Sequence, residues 1–101
     1  MKFEVEKIKI MTKEELVGTL EKVGINGEWI EHDEWEFSRL FQFKLGEQTM
    51  KIEWYHNYST LMIENVHFWF DKIRTSSGYP YQGKWIEFSF RNETPLHLRV
   101  Q

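Results

Sequence analysis

The chain has 101 residues, a formal net charge of −3 and no cysteine. Without cysteine it has no disulfide framework, thiolate nucleophile or cysteine zinc site. The mild negative charge and 41% apolar content exclude a disordered chain and argue against a general duplex-DNA binder.

No alanine occurs, 17% of residues are aromatic, and Val, Ile and Thr number 5, 8 and 6. This mix suits a pleated, half-buried surface better than helix–helix packing. The length predicts one domain, 1–101. No run approaches the ~20 apolar residues that carry a helix across a bilayer. The start, MKFEVEKIKI, lacks the apolar centre of a signal peptide, so a cytoplasmic protein without membrane contact is expected.

Residues 2–10 alternate charged and apolar side chains and predict a first strand. Thr12-x-x-Glu15 then fits a capping box, with Met11 and Leu16 at the spacing of a hydrophobic staple. Leu16, Val17, Leu20 and Val23 share one helical face, and Gly24 suits the position after a helix end. A helix over 13–23 follows. Gly18 falls opposite its apolar face, where it costs about 1 kcal/mol relative to Ala.

Asn26-Gly27 is a turn signal, and Trp29 and Ile30 begin a short strand. From Trp35 the pattern is β. Phe37, Arg39, Phe41, Phe43 and Leu45 share one parity; Met50, Ile52 and Trp54 share another beyond Gly46-Glu47. A two-residue loop opening with Gly is a type II′ hairpin signature. It pairs Leu45 with Gln48, Phe43 with Met50, Phe41 with Ile52 and Arg39 with Trp54, all on one face; a four-residue loop would keep the faces and shift the pairs.

Residues 61–70, LMIENVHFWF, read as one central strand that is apolar on both sides. Met62, Val66, Phe68 and Phe70 take one face; Leu61, Ile63, His67 and Trp69 take the other. Residues 71–83 read as a long loop. In the strand at 84–91, Ile86, Phe88 and Phe90 point inward and Trp85, Glu87 and Ser89 outward. Leu96, Leu98 and Val100 support a short last strand. The predicted fold is α+β: one helix, 13–23, packed on a four- to six-stranded, mostly antiparallel meander sheet.

One short helix cannot cover both faces of such a sheet. The far face is expected to carry Leu40, Tyr55, Ile63, Trp69 and Trp85; either the sheet curls and buries them against the 25–36 segment and the C-terminus, or they form an aromatic face of the kind that marks a partner site. The 71–84 loop adds Arg74, Tyr79, Tyr81 and Lys84, with Lys72 nearby. Its Tyr, Ser and Gly content resembles binding loops, in which Tyr supplies contact area with few rotors. Tyr79-Pro80 is a candidate cis peptide.

The acidic segment 28–36 places His32, Asp33, Glu34 and Glu36 close together, but the four histidines are scattered without a metal-type pair. No metal and no cofactor is expected. G-x-S-x-G, P-loop and G-x-G-x-x-G motifs do not occur, and His67 with Glu64 or Glu87 is only a chance type of pairing. No catalytic residue is assigned, and the chain is not expected to be an enzyme.

The expectation is therefore a small non-enzymatic protein-binding module. It would be an adaptor or inhibitor acting through the aromatic face and the 71–84 loop, and that face would also serve a homodimer. The alanine-free, Lys/Glu/Ile-rich composition points to a low-GC bacterial or phage origin. Two alternatives stand beside it. One is single-stranded nucleic acid stacked on Trp69, Trp85, Tyr79 and Tyr81, with Lys72, Arg74 and Lys84 on the phosphates. The other is a carrier holding a small apolar ligand between helix and sheet.

Overall fold

Thr12 opens the only helix among the described residues by accepting the Glu15 N–H on its hydroxyl at 3.1 Å. The computed structural model describes residues 11–30, 40–55 and 58–100. The predicted strand at 2–10, the acidic stretch 31–36 with His32, and the Arg39–Trp54 pairing lie outside them.

The helix α1 spans Lys13–Glu21. Its end is closed by a Schellman arrangement: Ile25 N–H returns to the Leu20 carbonyl at 3.0 Å and Gly24 N–H to Glu21 at 2.9 Å. Gly24 holds φ +82, a conformation only glycine adopts cheaply. Leu16 and Leu20 are completely buried, and Val17 and Met11 pack against the same core.

Eight strands follow among the described residues: β1 (Gly27–Ile30), β2 (Leu40–Leu45), β3 (Gln48–Trp54), β4 (Ser59–Ile63), β5 (Val66–Phe70), β6 (Lys72–Ser77), β7 (Lys84–Ser89) and β8 (Leu96–Val100). All pairings are antiparallel, giving a five-stranded meander β1–β5 and a three-stranded meander β6–β8. The α+β class holds. The single expected sheet is instead two.

The β2–β3 hairpin has the expected register, with Phe41 opposite Ile52, Phe43 opposite Met50 and Leu45 opposite Gln48. Gly46 takes φ +65 in the turn.

Two expectations fail next. Residues 61–70 are not one strand but the hairpin β4–β5, turning at Glu64-Asn65 with Glu64 at φ 54. The reversal sets Leu61 opposite Phe68 and Met62 opposite His67. Residues of opposite parity in a straight strand thus share a face. Leu61 and Ile63 turn inward with Phe68 and Phe70, while Met62 joins His67 and Trp69 outside. Residues 71–83 are not one loop either. Six of them form β6, paired along its whole length with β7, which leaves only 78–83 as the connection.

The chain passes from one sheet to the other at Asp71, whose N–H donates to the Ser89 carbonyl at 2.9 Å. Phe70 meets Phe88 edge-on at 4.9 Å and joins the two sheets. Such an aromatic pair contributes about 0.5–1.5 kcal/mol beyond its burial. Trp54 Nε1 donates to the Met11 carbonyl at 2.9 Å and ties the helix start to β3. The shared core contains Leu16, Leu20, Phe41, Phe43, Ile52, Leu61, Phe70, Ile86 and Phe88, each at most 2% exposed.

Candidate functional site

The expected partner residues separate into two groups. The first lies around Trp69. Tyr58 stacks on Trp69 at 5.2 Å and 18°, and Tyr55 packs on Tyr58 at 5.3 Å. Phe90 meets both Tyr58 and Trp69 edge-on. The Tyr55 hydroxyl donates to the Glu53 carboxylate. Trp69 stays 53% exposed, opposite Thr60 on the outer face of the first sheet. Sequence reasoning missed Tyr58 and Phe90. The sequence reads Tyr58 as part of a turn at 57–59 and Phe90 as inward-facing; Phe90 is buried, 8% exposed, but against Tyr58 and Trp69.

The second group is built on the outer face of β6–β8. Antiparallel register aligns Arg74, Glu87 and His97 in one row and Ser76, Trp85 and Arg99 in the next. Glu87 receives the Arg74 guanidinium in a forked pairing, through Nε and through Nη2 at 3.2 Å. His97 Nε2 lies 3.0 Å from Glu87 Oε1, and His97 Nδ1 lies 3.0 Å from the Tyr81 hydroxyl. The hydrogen bonds from Arg74 hold the Glu87 carboxyl down at about 2, with His97 adding to them against the burial that opposes ionisation. The same pairing raises Arg74 above its ordinary value. An ionised carboxylate only accepts, so the hydrogen-bond pattern assigns the His97 proton to Nε2. In the neutral ring Nδ1 then accepts from Tyr81.

This chain of contacts pins the 78–83 connection to the sheet. Gly78 N–H donates to the Gly83 carbonyl and Tyr81 N–H to the Gly78 carbonyl, both at 3.0 Å. Trp85 Nε1 donates to that same Gly78 carbonyl at 3.1 Å. The Tyr81 ring packs edge-on to Trp85 at 5.7 Å, and the His97 ring lies 4.6 Å from it. The peptide before Pro80 is cis. The tip, Tyr79, is held outward at 95% exposure.

Two assignments are corrected here. Trp85 points away from the core by parity, as expected, yet only 4% of it is exposed because the hairpin end folds over it. Ile63 faces the core side of the first sheet. Neither belongs to an open aromatic face with Trp69. Lys84 is exposed at the base of the hairpin, and Arg74 is exposed but committed to Glu87. Of the two described histidines, His97 finds a carboxylate and His67 is exposed opposite Met62. The register of the last two strands, once drawn, sets Glu87 opposite His97.

Among the described residues, no group of three His, Asp or Glu side chains could hold a metal ion, and no helix is long and apolar enough to cross a membrane. No protein-family model matches the chain, and neither does any curated protein or solved structure.

Proposed function

We propose that the protein is a non-enzymatic protein-binding module, an adaptor or inhibitor, whose principal contact is Tyr79. The observation that carries this reading is the combination at the hairpin end. A large aromatic side chain stands 95% exposed on a connection whose backbone and neighbours are pinned from beneath. Exposed tyrosines give contact area at low rotamer cost. A loop already ordered in the free protein also avoids about 0.5–1.5 kcal/mol of ordering cost per immobilised side chain on binding. Trp69 is a second contact on the first sheet. Tyr81, Trp85, Arg74 and His97 act as supports rather than contacts. Lys84 flanks the tip.

The other readings gain less. Stacking of single-stranded nucleic acid needs open rings beside free cations. Trp85 is covered, Tyr81 packs on it, and Arg74 is engaged by Glu87. An apolar-ligand carrier needs room between helix and sheets, where Leu16, Leu20, Phe41, Phe70 and Phe88 are closely buried.

The test is affinity capture with the intact chain and with Tyr79→Ala, whose side chain contributes nothing to the core. A protein retained by the wild-type chain and lost with Tyr79→Ala supports the reading. Capture of the same proteins by both chains contradicts it.

A further inference from the structure

We infer that the partner presents an acidic protein surface, which docks on the outer face of β6–β8 beside Tyr79; this inference rests on the protein-binding reading above. Charge is segregated along the chain. Residues 72–100 hold five Lys or Arg and two Asp or Glu, a balance of +3 in a chain whose total is −3, so the remainder carries −6. The folding register then concentrates that excess. Lys72, Arg74 and Arg99 all fall on the outer face of the second sheet, because they pair with Ser89, Glu87 and Trp85 there. Among the described residues of β6–β8, Glu87 is the one carboxylate on that face, and Arg74 and His97 already engage it. Lys72, Arg99 and, at the hairpin base, Lys84 are exposed and make no ion pair among the described residues. Arg99 lies 6.0 Å over the Tyr81 ring, which brings a cation alongside the aromatic support of the tip.

A partner covering Tyr79 and the adjoining outer face therefore meets Arg99 beside Tyr81 and Lys72 farther along the same face. Carboxylates placed there gain attraction, and lysines placed there are repelled. A nucleic acid is the weaker occupant of the same charges. A long polyanion running beyond the face meets an excess of acids, −4 over the described residues 11–30, 40–55 and 58–71, and the rings nearest the cations are packed on one another.

The experiment uses the full chain and fluorescence anisotropy with three labelled probes: an alternating Glu-Gly peptide, the matching Gln-Gly peptide and an oligo(dT). The Glu peptide is expected to bind about tenfold or more tightly than the Gln peptide. It is expected to lose about tenfold or more between ~0.05 and ~0.5 M salt, as screening shortens the reach of exposed charges. Lys72→Glu with Arg99→Glu abolishes that preference. Lys72→Glu alone, at an exposed position on that face which makes none of the contacts pinning the hairpin end, reduces it if the double variant does not fold. Equal binding of the Glu and Gln peptides, indifference to charge reversal, or tighter binding of oligo(dT) overturns the inference. Where a protein is captured through Tyr79 but its retention ignores salt and the reversed charges, the acidic-partner inference falls and the protein-binding reading stands. Loss of any Tyr79-dependent capture overturns both.

Discussion

Trp85 and Trp69 are both expected on the outside by strand parity, but the structure gives them opposite roles, and this can be measured. Consider Trp85→Phe. The substitution removes the Nε1–H donated to the Gly78 carbonyl at 3.1 Å, a loss of about 1 kcal/mol. The carbonyl is not orphaned, because it still accepts the Tyr81 N–H at 3.0 Å. The smaller ring also gives up buried apolar surface under the hairpin, for about another 1 kcal/mol. The expected total is about 2 kcal/mol, or about 8–16 °C in melting temperature for a domain of this size. Trp69→Phe, at a ring 53% exposed, is expected to stay within about 0.5 kcal/mol of wild type. Urea midpoints at unchanged m report both values. Amide exchange at Gly78 and Tyr81 reports whether the hairpin loosens in Trp85→Phe. The reasoning is refuted if Trp85→Phe is as stable as wild type with full protection at those amides, or if Trp69→Phe is the more damaging change.

Glu87 ionises at about 2 in the folded protein against an ordinary 4.5, so folding favours its charged form. Its contribution is present above about pH 4.5 and is lost as pH falls towards about 2. Stability profiles of wild type and Glu87→Gln should converge over that window, and parallel profiles contradict the pairing. Gly27→Ala would place a Cβ 2.4 Å from the Gln42 carbonyl oxygen and 2.6 Å from the Phe41 ring. It is expected to cost about 1–3 kcal/mol in denaturant unfolding, and a neutral result would show that β1 does not approach β2 so closely. Gly18→Ala meets nothing within 4 Å and is expected to raise stability by about 1 kcal/mol. A loss measured the same way would reveal a use for Gly18 that nothing in the structure explains.

The sequence was most legible where local chemistry and burial agree. Thr12, Leu16, Leu20 and Gly24 specify a helix through its cap, stripe and exit, and the structure ends that helix two residues before the expected limit. The faces of β2 and β3 were readable from a single buried side, and the glycine-led two-residue turn, rather than a four-residue loop that keeps the same faces, gives the observed pairs. Glu64 hid the next turn. It adopts a positive φ with no glycine to mark it, so ten residues read as one strand and the faces of Leu61 and Ile63 were inverted. In β6, alternation is carried by Ile73 and Thr75 amid serines, too weak a signal to separate a strand from a polar loop. Trp85 was legible as outward-facing but not as covered. Covering depends on the hairpin end folding back through Gly78, Tyr81 and His97, contacts between residues up to 16 positions apart that no local pattern announces. The loop composition treats Tyr79 and Tyr81 alike; that Tyr79 alone of the two stands exposed follows from the packing of Tyr81 on Trp85 and His97.

The account stands on Tyr79 being a binding contact displayed by a pre-ordered hairpin. The most direct measurement is calorimetric titration of the captured partner into wild type and Tyr79→Ala, with folding of both verified by near-ultraviolet circular dichroism. An aromatic anchor at the centre of an interface is typically worth about 2 kcal/mol or more, so the account predicts a Kd weakened about 30-fold or more. Equal affinity of the two chains would contradict it.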